Sequence, residues 1–275
     1  SYHLYYGDAE GRPGTILTFF TWPGARQGRD GNGQLTATAF AIPKGSAGYW
    51  RERLAANGVA AEQPGERFGE RVLPFSDPDG LRLELIETAH TDPANAWTAS
   101  EVPGDAAISG FHGGTLSEKA HEPTVALLTD TMGLQLVGSE GNRLRYETNG
   151  TGAGRTIDIV SAPQNQHGRV AVGTVHHIAW RTETDEQQRE WLEALNRQGY
   201  SVSPVMDRVY FHSIYYREPG GVLFEIATDQ PGFAVDEPID QLGKSLKLPS
   251  WFESHRAEIE ASLPEISVLR KAAVK

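Results

Sequence analysis

One stretch of the sequence, "GTVHHIAWRTETDEQQREWLEALNRQG" from Gly173 to Gly199, predicts most of the fold. It begins with a short apolar run typical of a strand, passes a polar break, and continues in a helical pattern that contains Trp191. Its closing glycine is typical of the residue that ends a helix. The stretch "GQLTATAFAIPKGSAGYWRERLAANG", from Gly33 to Gly58, has the same order of parts. Both stretches therefore predict a strand followed by a helix.

A second pair of similar stretches follows the first pair at matching distances. "FSDPDGLRLELIET" and "YYREPGGVLFEIAT" each predict two strands joined by a turn that contains Pro and Gly. The alignment places Ala37 at the position of His177, and Glu84 at the position of Glu225. The interval is 47 residues in the first copy and 48 in the second. Agreement in both order and spacing indicates an internal repeat.

A third copy lies between these two, and part of a fourth precedes them. The stretches "ISGFHGGTLSE", "EPTVALLTDTMG", "LQLVGSEGNRLRYETN" and "GRTIDIVSAP" predict a strand, a helix, a hairpin and a last strand, whereas the opening "SYHLYYGDAEGRPGTILTFFTWPG" matches only the last two strands of a unit. The sequence predicts an α+β fold of tandem βαβββ repeats, in two modules of curved mixed sheets flanked by helices, with a first repeat truncated at its N-terminal side. The predicted domains are an N-terminal one over 1–99, a C-terminal one over 107–230, and a wrapping loop and helix over 231–275.

The composition limits the classes of function. The 275 residues carry a net charge of −11 without a block of Lys and Arg, which disfavours binding to nucleic acids or membranes. No apolar run reaches the ~18 residues of a membrane span. The chain has no cysteine, so a metal would be held by His, Asp or Glu. This composition fits a cytoplasmic location.

His177 and Glu225 are the strongest candidates for a metal site. They are predicted to lie on the first and fourth strands of the last unit, which can approach each other in a curved sheet. Glu225 interrupts the apolar run "VLFEIAT", and a buried carboxylate needs a partner. A His nitrogen and a carboxylate together suit a divalent transition metal. The alternative is a structural pair that consists of a strand carboxylate and a hydrogen-bonded core histidine.

The neighbouring His176 is predicted to have a different role. Adjacent residues of a strand point to opposite faces, so at most one of the two histidines is expected to face the metal. His177 is that residue because it aligns with Glu225, and His176 is expected at the rim of the pocket. In the other units, Glu84 and Asp158 take the position of Glu225. Glu84 is interpreted as vestigial or structural, and Asp158 as a buried or edge carboxylate in preference to a ligand. His112 falls beside His176 in the alignment, which disfavours it as a ligand.

The hairpin "DRVYFHSIYYRE" is expected to border the same site. Arg208 and Tyr215 have side chains suited to binding and polarising a phenolate or carbonyl oxygen. Aromatic cross-strand pairing with a solvated arginine explains them equally well. For His212, a functional role is less well supported.

The repeats, with His on a first strand and Glu on a fourth, resemble the vicinal oxygen chelate superfamily, which includes glyoxalase I and extradiol dioxygenases. The stretches "YHLYYGDAEGRPGTILTFFTWPGA", "TATAFAIP", "GTVHHIAWRT", "SPVMDRVYFHSIYYREPGGVLFEIATDQPGF" and "DEPIDQLGKSLKLP" resemble more specifically the bacterial ring-cleaving dioxygenases that act on hydroquinones. The resemblance implies Fe(II) held by two His and one Glu. It assigns His177 and Glu225 as ligands, and it places the third ligand, a His, upstream of Ser1.

The same resemblance implies roles for the remaining candidates. His176 is a catalytic residue near the substrate hydroxyl that moves protons, and Arg208 and Tyr215 line the substrate pocket. The first and fourth units share the metal, which leaves the second and third as a partner module and explains the absence of His at Ala37 and Gly113.

The predicted function is therefore an Fe(II)-dependent ring-cleaving dioxygenase that opens a hydroquinone-like aromatic diol with O2. Two alternatives on the same fold are a glyoxalase-like metal-dependent lyase or isomerase, and a protein that sequesters a ligand without catalysis. Mn, Zn and Ni are the alternative metals. The expected partners are the aromatic substrate and O2, and the sequence allows a homodimer.

Overall fold

The repeat units predicted from the sequence are present in the computed structural model, which describes residues 1–91, 101–150 and 152–266. The first unit is represented by a hairpin of β1 (His3–Tyr6) and β2 (Leu17–Phe20). The second unit comprises β3 (Gln34–Pro43), α1 (Ala47–Ala56), β4 (Gly65–Arg67), β5 (Glu70–Ser76) and β6 (Arg82–Thr88).

The third and fourth units have the same order of elements. The third comprises β7 (Phe111–Glu118), α2 (Glu122–Ala126) with a π-helical continuation (Leu127–Thr131), β8 (Gln135–Glu140), β9 (Arg143–Glu147) and β10 (Thr156–Ser161). The fourth comprises β11 (Ile178–Thr182), α3 (Asp185–Arg197), β12 (Met206–Asp207), β13 (Phe211–Arg217) and β14 (Leu223–Pro231). The predicted α+β class and the βαβββ order are confirmed.

Helix α3 shows how local sequence sets these bounds. The Thr184 side chain caps its first turn by accepting a hydrogen bond from the backbone N–H of Gln187. The helix ends before Gly199, whose φ of 87° lies in the left-handed region that glycine adopts without steric cost. The polar break and closing glycine in the sequence therefore mark the true ends of the helix.

The strands form three sheets, and their order does not follow the sequential division at residues 99 and 107. The second and third units share one eight-stranded sheet, in the order β4-β5-β6-β3-β7-β10-β9-β8. The fourth unit forms a four-stranded sheet, β11-β14-β13-β12, and the β1–β2 hairpin is a separate ribbon. Strand β3 pairs antiparallel with β7 across the predicted domain boundary, so this boundary does not separate two sheets.

The strand register confirms the repeat alignment. In each complete unit the first and last strands pair in parallel. The paired residues are Ala39 with Glu84, Thr115 with Asp158, and Ala179 with Glu225. Two residues before the first member of each pair lie Ala37, Gly113 and His177, the three positions that are equivalent in the sequence alignment.

One hydrophobic core joins the two larger sheets. Leu116 and Ile157 of the eight-stranded sheet belong to the same buried cluster as Ile214 and Phe224 of the four-stranded sheet. Leu195 of α3 lies in this cluster as well, fully buried. The two sheets are therefore held together by apolar packing, which is non-directional and strong.

The C-terminal segment begins against the first hairpin, and the predicted terminal helix is present. Phe233 stacks on Tyr210 with ring centroids 4.6 Å apart and meets the ring of Tyr5 at 5.1 Å. Short 3₁₀ turns (Phe233–Val235, Ile239–Gln241 and Ser250–His255) lead to α4 (Arg256–Ser262). In the part of the chain that the structure describes, no helix has the length and apolar character to cross a membrane.

Candidate metal centre

His177 and Glu225 meet as the sequence predicted. Glu225 lies in β14 opposite Ala179 of β11, and His177 is two residues before Ala179, in the segment that leads into β11. Nε2 of His177 lies 2.8 Å from Oε2 of Glu225. Glu225 is only 2% exposed. Two groups that bind divalent metals therefore converge at one buried point.

Glu225 is stabilised in its ionised form by neighbours from β13. The hydroxyl of Ser213 donates a hydrogen bond to Oε1, and Oη of Tyr215 donates to the same atom at 2.8 Å. Burial opposes ionisation of Glu225, but its hydrogen bond to His177, the charge of that ring and the two hydroxyls lower its pKa below the usual value. The site therefore contains a buried carboxylate whose ionised form is stabilised by its neighbours.

The predicted separation of the two histidines onto opposite faces is wrong. Both residues precede β11, which begins at Ile178, so the alternation of a strand does not apply to them. The Nδ1 atoms of His176 and His177 lie 2.8 Å apart, with the rings nearly perpendicular. Burial and the charges of His177 and Arg217 lower the pKa of His176. His176 is therefore a direct hydrogen-bond partner of His177.

Tyr215 and Arg208 extend this network toward the surface. Tyr215 pairs directly opposite Glu225 across the β13–β14 ladder, which places both side chains on one face. Nε and Nη2 of Arg208 donate to the Tyr215 hydroxyl over 3.3 and 3.2 Å. Burial and the charge of Glu225 raise the pKa of Tyr215, so its hydroxyl stays protonated and donates.

His212 is separated from these residues. Its Nδ1 lies 2.7 Å from Oδ1 of Asp185, at the start of α3. It is next to Ser213 on β13, and adjacent strand residues point to opposite faces. The structure therefore leaves His212 outside the site. The predicted residues that it brings together around Glu225 are His176, His177, Arg208 and Tyr215.

Two residues near the site, His3 and Tyr5, were not identified from the sequence. The Tyr5 hydroxyl lies 2.9 Å from Nδ1 of His3, and Phe20 of β2 stacks on the His3 ring at 4.4 Å. Burial and the charges of His177 and Arg208 lower the pKa of His3 to about 4, so its ring is neutral at physiological pH. The alternation His-Leu-Tyr in "YHLYY" was a usable signal, because it predicts that His3 and Tyr5 share one face.

The two candidate ligands in the described residues, His177 and Glu225, fit a divalent metal. An imidazole nitrogen and an ionised carboxylate lie close enough to bind the same ion, and both have hydrogen-bond partners that orient them. Within residues 1–91, 101–150 and 152–266, no three His, Asp or Glu side chains are grouped so that they could hold a metal. The third ligand that the resemblance implies, a His upstream of Ser1, falls outside the residues that the structure describes.

In the eight-stranded sheet, the positions that correspond to the metal centre are occupied by ion pairs. Glu84 accepts from Arg67 at 2.7 Å, and Asp158 accepts from Arg143 and Arg145 at 3.0 and 2.7 Å. These contacts agree with a structural interpretation of both carboxylates. His112 belongs to the same region, where its Nε2 lies 3.0 Å from Oε2 of Glu70.

Comparison with known proteins agrees with this geometry. Residues 116–226 match the Glyoxalase/Bleomycin resistance protein/Dioxygenase superfamily. Relatives aligned over more than nine-tenths of the chain share the ring-cleaving dioxygenase description. The chain belongs to this superfamily.

Three relatives are informative. MhqO of Bacillus subtilis strain 168, provisionally named a ring-cleaving dioxygenase, is 48% identical over 263 residues, which cover 96% of this chain and 83% of that protein. Chlorohydroquinone/hydroquinone 1,2-dioxygenase of Sphingobium indicum is 34% identical, over 94% of this chain and 82% of that protein. The crystal structure of a dioxygenase of Bacillus subtilis, also provisionally named, superposes with a TM-score of 0.92 at 47% identity, covering 96% of this chain and 84% of that one.

Proposed function

We propose that this protein is an Fe(II)-dependent dioxygenase that opens the ring of a hydroquinone-like aromatic diol with O2. The observation that supports it most is the contact between the buried Glu225 and Nε2 of His177, 2.8 Å apart. Similarity to the hydroquinone dioxygenase of Sphingobium indicum supports the substrate class. Fe(II) with three protein ligands is proposed because two His and one carboxylate are typical of Fe(II) oxygenases, where they leave coordination positions open.

The metal would be held by His177, Glu225 and the histidine predicted upstream of Ser1. When bound, it would bring the diol and O2 together and take part in electron transfer between them. The protein supplies orientation. His176 bonds to Nδ1 of His177, so it fixes the imidazole ring with Nε2 directed at Glu225.

Tyr215 and Arg208 are proposed to bind the substrate. The Tyr215 hydroxyl donates to Glu225, and Arg208 donates to the same hydroxyl. The guanidinium of Arg208 is exposed and keeps its positive charge in this contact, so it can attract a phenolate oxygen. His176 lies beside both His177 and the Phe20 ring, where a neutral imidazole can accept the proton of a substrate hydroxyl.

The glyoxalase-like alternative would use additional carboxylate ligands, and Glu84 and Asp158 occupy the position of Glu225 in the other units. Both lie in the eight-stranded sheet and are paired with arginines, so they do not contribute oxygen ligands to the His177–Glu225 pair. The sequestering alternative predicts binding of an aromatic diol that persists after treatment with a chelator and in Glu225→Gln.

The test is O2 uptake by the full-length protein after anaerobic reconstitution with Fe(II), with hydroquinone as substrate. We expect uptake in the wild type and its loss in His177→Gln and Glu225→Gln. His212→Gln is the matched control, since this histidine lies on β13 but contacts Asp185. Absence of uptake with hydroquinones in the reconstituted wild type would refute the proposal. Metal analysis of the purified protein separates iron from the Mn, Zn and Ni alternatives.

A further inference from the structure

The first hairpin, β1–β2, repeats the register of the hairpin β13–β14 in the fourth unit. The sequence "HLYYGD" at 3–8 aligns with "SIYYRE" at 213–218, so Tyr5 takes the position of Tyr215. Tyr215 lies directly opposite Glu225 across its ladder, and the two side chains are hydrogen-bonded. Tyr5 lies directly opposite Thr18 in the same way. The face of the first hairpin that carries Tyr5 is therefore equivalent to the face that lines the metal centre.

His3 lies on this same face, because it is two residues before Tyr5 on β1. It takes the position of Ser213, which in the fourth unit bonds to the carboxylate. Its ring stacks on Phe20, its cross-strand partner on β2, with centroids 4.4 Å apart. The Phe20 ring in turn meets the ring of His176 edge-on at 6.2 Å. One aromatic ring therefore connects His3 to the histidines of the metal centre.

The His3 ring is also within electrostatic reach of the candidate ligands. Partial burial and the charges of His177 and Arg208 lower its pKa to about 4, against the opposing charge of Glu225. The influence of single charges falls off with distance, so these groups lie near the ring. The ring is neutral at physiological pH, and a neutral imidazole has one nitrogen that donates and one that accepts.

One nitrogen of His3 is available for a ligand. The Tyr5 hydroxyl lies 2.9 Å from Nδ1 and fixes that end of the ring. Among the hydrogen bonds of the described residues, none reaches Nε2. Part of the side chain is exposed, so a ligand can approach the ring. A hydroxyl group both donates and accepts, so it can bond to Nε2 in either tautomer of His3.

The proposed substrate supplies such a hydroxyl. A hydroquinone carries two hydroxyl groups on opposite sides of its ring. If one of them binds the proposed metal at His177 and Glu225, the other lies across the ring and needs a polar partner, because a hydroxyl that leaves water without one is costly. Phe20, between His3 and His176 in this chain of contacts, offers an aromatic surface on which the substrate ring can pack.

We propose that His3 is a substrate-binding residue: its Nε2 bonds to the hydroxyl of the diol that is not on the metal, Tyr5 fixes the imidazole ring, and Phe20 packs against the substrate. His3 thereby selects a hydroquinone over a phenol with one hydroxyl. This assignment rests on the proposed function, since it requires an aromatic diol at the metal centre.

The test compares hydroquinone with phenol, which lacks the second hydroxyl, as ligands of the full-length protein. The protein is loaded with Zn(II) and kept free of O2, so calorimetry measures binding without turnover. We expect the wild type to bind hydroquinone about fivefold more tightly than phenol, as for one hydrogen bond. His3→Phe keeps an aromatic ring beside Phe20. In this variant only the dissociation constant of hydroquinone should rise, until the two ligands bind equally.

Two further variants separate the hydrogen bond from the stacking. His3→Gln keeps a hydrogen-bonding group and should restore part of the preference for hydroquinone. Tyr5→Phe removes the partner of Nδ1 and should reduce the preference without changing the binding of phenol. Tyr6→Phe is the matched control, because Tyr6 is the next residue of β1, is 58% exposed and meets the ring of Phe19. Its preference should equal that of the wild type.

The outcomes separate this inference from the proposed function. If His3→Phe keeps the wild-type preference, or weakens the binding of both ligands equally, His3 does not recognise the second hydroxyl, even where O2 uptake with hydroquinone supports a dioxygenase. If the wild type binds neither ligand and shows no O2 uptake with Fe(II), the proposed function fails, and the assignment of His3 fails with it. Tyr5→Phe gives the same decision if His3→Phe does not fold.

Discussion

At the scale of single residues, Glu225 and its partners define the site. A carboxylate in an apolar strand is costly unless it is paired, and Glu225 receives bonds from both flanks. Ser213 and Tyr215 reach it from β13, and His177 reaches it from the end of the chain leading into β11. The carboxylate is therefore held in one orientation by the protein itself, which would reduce the ordering cost of binding the proposed metal.

The Tyr215 hydroxyl provides a direct test of this orientation. Tyr215→Phe keeps the ring but removes the 2.8 Å bond to Glu225. We expect the metal dissociation constant of the full-length protein to rise about tenfold, because a partner that orients a ligand is lost. Titration with Mn(II) measures it. Tyr210→Phe is the control, since its hydroxyl donates to Asp236. Equal affinities in the two variants would show that the Tyr215 hydroxyl does not support the carboxylate.

At the scale of elements, the three complete units have three different residues at the equivalent position before the pairing of their first and last strands. His177 of the fourth unit corresponds to Ala37 in the second and Gly113 in the third. At Gly113 there is no room for a side chain, because a Cβ atom would lie 2.0 Å from the carbonyl oxygen of Thr156 on the paired strand. The backbone itself therefore excludes a histidine from this position of the third unit.

Substitution of Gly113 tests this steric limit. We expect Gly113→Ala to lower the free energy of unfolding by about 1–3 kcal/mol, as overpacking does. Gly48→Ala, in the exposed first turn of α1 with no atom within 4 Å of the added methyl, should raise it by up to about 1 kcal/mol. Urea unfolding measures both. A Gly113→Ala variant as stable as Gly48→Ala would contradict the close approach of β7 and β10.

The ion pairs of the eight-stranded sheet are a second test at this scale. Asp158 is 3% exposed and neutralises Arg143 and Arg145. Asp158→Asn keeps the shape but leaves the buried Arg145 with Glu70 as its one carboxylate partner and the partly buried Arg143 without its carboxylate contact, so we expect a loss of about 3–5 kcal/mol in the free energy of unfolding. Glu147→Gln removes the partly exposed pair with Arg155 on the same sheet and should cost about 1 kcal/mol or less. Urea unfolding measures both. If the two variants lose similar amounts of unfolding free energy, the Asp158 ion pairs stabilise the fold no more than a partly exposed pair does.

At the scale of the whole molecule, a buried pair of carboxyl groups links the two larger sheets. Glu118 ends β7 and is 1% exposed, and its carboxyl group packs on the backbone of Gly220, in the turn between β13 and β14. Glu218 next to this turn accepts bonds from Thr124 and from the N–H groups of Gly220 and Val222. Burial and the charge of Glu218 raise the pKa of Glu118 to about 8, so it is protonated at neutral pH.

This raised pKa predicts a pH dependence of stability. Between the usual pKa of 4.5 and about 8, the folded protein holds a proton on Glu118 that the unfolded chain releases. The free energy of unfolding should therefore fall as pH rises through this window. Glu118→Gln should remove this part of the slope. Above pH ~8 it should be more stable than the wild type by a few kcal/mol, since each pH unit between the two pKa values contributes on the order of 1.4 kcal/mol.

The comparison of the two pH profiles by urea unfolding isolates Glu118 from the other titrating groups. Glu62→Gln is the control, because this carboxylate is exposed and lies 3.6 Å from Arg82. Its profile should run parallel to that of the wild type. If the Glu118→Gln profile is also parallel to the wild type, Glu118 is ionised in the folded protein and the conclusion about its proton is wrong.

The sequence alone determined the units and their register, because periodicity, turn residues and repeat spacing are local and survive in one dimension. It also determined the pair of His177 and Glu225, since equal spacing in two repeats gives equal positions on paired strands. The contact of His176 with His177 could not be read from it, because alternation assumes a strand and these residues precede one. The joining of the second and third units in one sheet agrees with the partner module that the resemblance implied. The approach of His3 to the site depends on contacts between segments far apart in the chain. Only the tertiary structure decided it, because burial and packing between such segments have no signature in local sequence.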